Sequence, residues 1–372
     1  MAKVIEKSGS MCGFAFNFEA FMALRSIIAR IRNWEAWPFG VLYAPLAPFW
    51  LYYTIRSGSV WFFTPSNPKI TFGGMDGEPK KEMYDLLPDS LYPATIHFKA
   101  GVTPESVTDA VRKKGILFPL VVKPEVGCQG LLFRKIDQPE QLAQYVRNAP
   151  VDFMVQAFSP YAMEVSVFYI RLPWEQKGKI TGFLQKIPLQ VVGDGQAPLK
   201  TLVERHPKAS KRVAELYTKH HENWDQVIAE HEIYKLSYAA NHNRGAFFVD
   251  LSEHIDDQLC AHFDQISHSI DDFFYGRYDI LCQSVEDLKA WKQMTILEYN
   301  GCGAEPNHFY DTGYTLSRAY SEILFHWKML YTICRYNAKK GIKPWGLKKG
   351  IRFVQEIRAH YKKLRQADAV MP

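Results

Sequence analysis

Gly276-Arg277-Tyr278-Asp279-Ile280, a polar insert from Gln283 to Lys292, then Thr295-Ile296-Leu297-Glu298-Tyr299-Asn300 and Glu305-Pro306-Asn307-His308: the fold turns on how this stretch is read. The two apolar runs around the insert predict a hairpin. Side chains two apart along a strand share a face, so Arg277 pairs with Asp279, Glu298 with Asn300, and strand pairing brings the four together. Asp279, Glu298 and Asn300 then form an oxygen-rich donor set of the kind magnesium takes when it also holds phosphate. Arg277 adds a planar fork suited to a phosphate or an acyl phosphate. An ordinary hairpin with solvated carboxylates gives the same local pattern. The stretch alone therefore leaves both readings open.

The chain has 372 residues, enough for two or three packed units. Its 47% hydrophobic and 23% charged content is that of a globular protein, and its six cysteines form no Cys-x-x-Cys pair. That spacing argues against a zinc ribbon or a disulfide framework and for a reducing compartment. Residues 339–365 hold ten Lys and Arg against one Glu, a local excess larger than the net +6 of the whole chain. Basicity belongs to the tail. No cleavable signal peptide reads at the N-terminus.

Residues 14–31 place Phe14, Phe18, Phe21, Leu24, Ile28 and Ile31 at steps of three and four, the spacing of an amphipathic helix. Ala36 to Ile55 follows with no charged residue. Pro38, Pro45 and Pro48 oppose a straight helix, while Trp34, Trp37, Trp50, Tyr52, Tyr53 and Trp61 are types that settle at lipid headgroups. The expectation is a bent segment in one leaflet on the cytoplasmic face, peripheral or monotopic. A buried aromatic core or a protein interface is the alternative. The tail places Ile351, Val354, Ile357, Tyr361 and Leu364 at helical spacing among cations, which suggests contact with anionic lipid. Nucleic acid ranks lower because no aromatic stacking platform accompanies the charges.

Residues 64–79 are rich in Pro and Gly and read as a linker or active-site loop. Lys80 and Lys81 begin a helix that ends at Pro88, Tyr92–Phe98 reads as a strand, and Thr103–Lys114 as a helix. Phe118–Pro124 is a strand that runs into Gly127 and Gly130, with Leu131–Ile136 returning. Such glycines let backbone N–H groups approach phosphates, with Lys123 at the strand end to neutralise one. No Gly-Lys-Ser/Thr opens a helix, so this is not a Walker loop. Two more strands, Phe153–Phe158 and Glu164–Arg171, flank a short break. The histidines at 206, 220, 221, 231, 242 and 254 show no firm metal spacing and read as solvated.

In order, Lys123-Pro with its glycine loop, the break before Glu164, Val192-Gly-Asp-Gly195, Asn243-Arg244-Gly245-Ala246, Gly276-Arg-Tyr-Asp279 and Glu298-Tyr-Asn300 resemble the ATP-grasp ligases, most nearly D-alanine:D-alanine ligase and cyanophycin synthetase. The resemblance implies an α/β (α+β) fold in which two α/β subdomains clasp ATP. Here that fold would be preceded by the aromatic, membrane-associated segment. Its implied bounds are 1–70 for the N-terminal region, 71–338 for the catalytic domain with a lid at 93–158, and 339–372 for the tail. It also implies Lys123 and either Lys80 or Lys81 on nucleotide phosphates, Gly127 and Gly130 in the lid loop, and Gln156, Ala157 and Phe158 at the adenine. Glu164 would bind the ribose, Arg244 would face the triphosphate, and Asp279, Glu298 and Asn300 would hold one or two Mg²⁺. Arg277 and Lys123 would face the developing charges. Glu305, Asn307 and His308 fall near the substrate with open roles.

The implied activity joins a small carboxylate to an amine at the expense of ATP through an acyl phosphate. The amine or carboxylate would be presented at a membrane surface. Two alternatives stay open: a phosphotransferase on the same fold, and a membrane scaffold that binds nucleotide without turning it over.

Overall fold

The computed structural model describes residues 33–128, 130–237, 240–270 and 273–371. The helix expected over 14–31 lies outside them. The proline-rich stretch is a chain of short helices: a 3₁₀ turn at Trp34–Ala36, α1 (Phe39–Tyr43), a 3₁₀ turn at Ala44–Leu46 and α2 (Ala47–Ser57). Pro38 precedes α1, while Pro45 and Pro48 sit in first turns, where the missing N–H breaks no helical bond. The segment is bent as its prolines require. No helix among the described residues is long and apolar enough to cross a membrane.

Residues 64–79 then form buried 3₁₀ turns, with Asn67 fully buried. Its amide donates to the carbonyls of Gly73 and Tyr275 and accepts from the N–H groups of Phe274 and Tyr275. Every polar atom of that buried side chain is satisfied, which ties the loop to the central sheet. The helix α3 (Lys80–Leu86) leads into the lid.

The unit expected to be the lid is built from β1 (Thr95–Phe98), α4 (Pro104–Lys114), β2 (Leu120–Pro124), β3 (Arg134–Ile136), α5 (Pro139–Asn148) and β4 (Phe153–Ala157). Its antiparallel sheet has the order β1-β4-β2-β3. Thr103 caps α4 by accepting from the Ser106 N–H, as the sequence start signal implies. One sheet face is covered by Val107, Val111, Leu142 and Val146 of the two helices, all buried.

The larger sheet runs β11-β10-β5-β6-β9, from β5 (Met163–Ile170), β6 (Lys179–Ile187), β9 (Phe247–Asp250), β10 (Tyr275–Cys282) and β11 (Met294–Asn300). Between β6 and β9 an insert folds around its own core. It holds β7 (Gln190–Val192), α6 (Leu199–Arg205), α7 (Val213–His220) and β8 (Ile233–Lys235), with Leu199, Val203, Leu216 and Ile228 packed together. Here the reading of solvated histidines is corrected: His206 accepts from the N–H groups of Lys208 and Ala209 to shape a turn, and His220 sits between Tyr234 and the Leu236 carbonyl. His231 is exposed. The helices α8 (Asp257–Ser269) and α9 (Val285–Lys289) cover one face of the large sheet, and α10 (Leu316–Lys339) lies on the other.

Onto α10 packs the N-terminal segment. Trp50 meets Trp327 edge-on at 4.9 Å, and Tyr53 stacks on Tyr331 at 4.6 Å. Trp34, Leu42 and Leu46 are buried against Phe309, Tyr310 and Ile323. The opposite side stays open: Phe39, Val41, Phe49, Leu51, Tyr52 and Ile55 are all exposed.

The last helix, α11 (Leu347–Asp368), corrects the reading of the tail as a lipid-facing helix. Its apolar stripe from Val354 onward is used inside the molecule, while Ile351 stays exposed. Tyr361 and Leu364 complete the lid core with Met371, and Ile357 packs beside them. Asp368 accepts from the Leu132 N–H at 2.9 Å and pairs with Arg134 at 3.0 Å, His360 reaches the Val126 carbonyl at 2.7 Å, and Tyr361 donates to Asp76. The cations Arg358, Lys362, Lys363 and Arg365 point to solvent.

Candidate active site

The two sheets face each other across a cleft of about 1120 Å³. Its floor is the hairpin that the sequence singled out. In the pairing of β10 with β11, Arg277 lies opposite Asn300 and Asp279 opposite Glu298. The register slips after Asp279, and this bulge leaves Leu297 without a partner in the ladder. The Leu297 carbonyl instead accepts from the Tyr84 hydroxyl at 2.6 Å.

Cations and carboxylates interlock on this floor. Asp279 contacts Lys186 Nζ at 2.8 Å, Arg277 Nε at 3.2 Å and the Asn300 amide at 3.3 Å. Lys186 also holds Glu164 at 3.0 Å. Burial pushes the Asp279 carboxyl up, but Arg277 and Lys186 outweigh it and hold the group at about 2. Glu164 has a weaker share of the same lysine, and burial prevails there to raise its pKa. Lys80 pairs with Glu298 at 2.5 Å. Burial opposes that pair from both sides, yet the mutual attraction keeps the lysine raised and the carboxylate lowered.

Lys123 is different. It is buried on β2 with no carboxylate partner among the described residues, only the Tyr84 hydroxyl at 3.3 Å and the Leu297 carbonyl at 3.5 Å. Burial and the nearby Lys80 charge lower its pKa to about 8. Arg244 also lines the cleft with no carboxylate partner among the described residues. Two unneutralised basic groups facing a cavity fit a polyanion such as a nucleotide triphosphate.

Of the residues singled out in the sequence, Lys80, Lys123, Gly127, Gly130, Gln156, Ala157, Phe158, Glu164, Arg244, Arg277, Asp279, Glu298, Asn300, Glu305 and Asn307 line one cleft. Lys81 does not. It is exposed and paired with Asp85 one helical turn on, so of the two lysines Lys80 is the one in the site. His308 turns into the body beside Glu322. Gln156 spends its amide on Tyr84 and Thr95, and the Ala157 N–H bonds to the Ala94 carbonyl. Arg277 has its fork on Asp279 and its Nη1 on the Glu305 carbonyl.

Three participants were missed. Lys186 reads as one of two lysines in a mixed strand, and only its burial between two carboxylates marks it. Tyr84 carries no motif, yet its hydroxyl joins Lys123, Gln156 and Leu297. Tyr43, from the N-terminal segment, donates to Glu305 Oε1 at 2.8 Å, and Tyr310 donates to the same oxygen at 3.0 Å.

The donor set suits magnesium. Asp279, Glu298 and Asn300 bring two carboxylates and an amide to one face of one hairpin, with neither sulfur nor imidazole among them.

No family model matches the sequence, and no curated protein matches it. Solved structures share its chain course over part of its length. A bifunctional glutathione synthetase from Pasteurella multocida is 15% identical over 68% of this chain and 36% of its own, with a TM-score of 0.38. The VanG D-Ala:D-Ser ligase from Enterococcus faecalis is 12% identical over 70% and 62%, with a TM-score of 0.39. A D-alanine–D-alanine ligase from Bacillus anthracis is 12% identical over 70% and 69%, with a TM-score of 0.41. The chain thus spans about a third of the first and under two thirds of the second. Functional statements below rest on the residues of the cleft. Two α/β subdomains closing on one cleft is the architecture that the resemblance to ATP-grasp ligases implied.

Proposed function

We propose that the protein is an ATP-dependent carboxylate–amine ligase that works through an acyl phosphate at a membrane surface. The observation that carries this reading is the meeting, in one cleft, of the Arg277–Asp279–Glu298–Asn300 cluster with the basic groups of Lys80, Lys123 and Arg244. Lys123 and Arg244 have no carboxylate partner among the described residues, so they serve the phosphates of ATP. Lys80 and Lys186 sit on the carboxylates and keep them ionised. Asp279, Glu298 and Asn300 would hold Mg²⁺, which supplies charge neutralisation for phosphoryl transfer. Arg277, fixed by Asp279 and the Glu305 carbonyl, is positioned to steady the acyl phosphate and then the tetrahedral oxyanion. Catalysis here is mostly orientation and charge matching.

The membrane part of the proposal is supported by the six exposed apolar and aromatic side chains of α1 and α2, Phe39, Val41, Phe49, Leu51, Tyr52 and Ile55. The occupant of choice is a lipid leaflet with acidic headgroups.

Hydroxylamine trapping tests the chemistry. The full chain is incubated with ATP, Mg²⁺, pooled amino acids and other small carboxylates, and anionic liposomes. Hydroxamate formation supports the ligase, and deconvolution of the pool identifies the carboxylate. ADP release with a phosphorylated product and no hydroxamate would move the assignment to a phosphotransferase. Failure of the protein to float with anionic liposomes would remove the membrane part.

A further inference from the structure

We infer that Glu305, clamped by Tyr43 and Tyr310, is the group that receives the acceptor as a cationic amine. The inference rests on the ligase reading for its chemistry but on separate observations for its site.

Glu305 is recessed in the cleft wall, and no lysine, arginine or histidine side chain forms an ion pair with it among the described residues. Its Oε1 takes both tyrosine hydroxyls, while Oε2 has no hydrogen-bond partner among those residues. Arg277 spends its fork on Asp279 and its Nη1 on the main-chain carbonyl of Glu305. The Arg277 charge acts on Glu305 without touching its carboxylate among the described residues, so the two neutral donors leave Oε2 open to a bound cation. Burial raises the Glu305 pKa, the direction expected of a carboxylate awaiting such a partner.

The surroundings leave room for a cation. Tyr310 is stacked on Trp34 at 6.0 Å and on His242 at 4.2 Å, and Tyr43 on Phe39 at 4.2 Å, so the two rings are fixed as hydroxyl donors and Glu305 is approached from the cleft. Burial and the neighbouring Lys208 hold the His242 imidazole at about 4, so it is neutral near pH 7 and does not repel a cation.

The site also has a chemical task. An ammonium has no lone pair for attack. Glu305 Oε2 takes one N–H proton, and the freed pair attacks the acyl-phosphate carbon. The C–N bond forms, the bond from carbon to the phosphate oxygen breaks, and a second N–H proton leaves with the phosphate as hydrogenphosphate.

The test is calorimetric titration of the full chain with n-octylamine and n-octanol below their aggregation limits. Wild type should bind octylamine at least tenfold more tightly than octanol. Glu305→Gln should bring amine and alcohol to within about twofold, the size of effect expected when a charged contact is lost. Should Glu305→Gln fail to fold by circular dichroism, Tyr43→Phe, which keeps the carboxylate and removes one donor, should shift the same ratio. Equal binding of amine and alcohol, or a preference that survives Glu305→Gln, would overturn the inference. Hydroxamate without amine preference overturns this inference alone, whereas amine preference without hydroxamate keeps the site and overturns the ligase reading.

Discussion

Lys123 makes ATP affinity depend on pH in a defined direction. In the free protein, burial and then Lys80 depress its pKa to about 8. A phosphate beside it restores the charged form, so binding above that pKa takes up a proton. Affinity is therefore full below about pH 8 and falls as pH rises through it. With the bound-state pKa well above 9, the charged fraction of the free lysine falls about tenfold between pH 7 and pH 9, and affinity falls about tenfold with it, or ~1.4 kcal/mol. Lys80 adds nothing in this window because its pairing with Glu298 raises its pKa. The assay is calorimetric titration of MgATP at pH 7, 8 and 9 at constant ionic strength. Lys123→Arg, which stays charged, should flatten the curve, and Lys123→Met should bind weakly at every pH. A flat wild-type curve, or an equal slope in Lys123→Arg, would refute the assignment of Lys123 to the phosphates.

Other outcomes follow from the same contacts. Asp279→Ala should reduce turnover at least a hundredfold and, by leaving buried Lys186 and Arg277 short of a carboxylate, lower stability by ~3–5 kcal/mol in urea melts. Retained activity would remove Asp279 from the site. Chelation with EDTA should stop ADP release, and excess Mg²⁺ should restore it; release that continues in EDTA would exclude the oxygen cluster as a metal site. Leu42→Ala, at a position 1% exposed, should cost ~2–5 kcal/mol in stability, while Leu51→Ala, at 57%, should stay within ~0.5 kcal/mol and instead weaken liposome flotation. Gly301→Ala should dislodge the loop at 73–74, since the added carbon would lie 2.5 Å from the Gly73 carbonyl oxygen and 2.8 Å from Gly74 Cα. Wild-type stability and turnover in that variant would contradict the packing.

What the sequence disclosed and what it hid divide along the range of the contact. The hairpin of β10 and β11 was readable because its pattern is local: alternation fixes which side chains share a face, and the polar insert marks the turn. Lys186 was not readable, because its identity as a site residue depends on two carboxylates from other strands. Tyr43 meeting Glu305 joins positions 262 apart, and no periodicity reports such a contact. The apolar stripe of the last helix was legible, but its partner was not. Amphipathicity says that a helix covers something and leaves open whether lipid or protein lies beneath.

That last helix bears on how the cleft comes into being. The lid strands lie within residues 95–157, yet their core is closed by Tyr361, Leu364 and Met371. A ribosome extends the chain by roughly 5–20 residues per second, so the lid strands wait on the order of ten seconds or more before their last wall exists. During that interval the apolar side of the lid meant for the last helix is uncovered and open to chaperones. The cleft thus depends on residues 347–371, and a chain stalled before residue 347 lacks the last wall of that core.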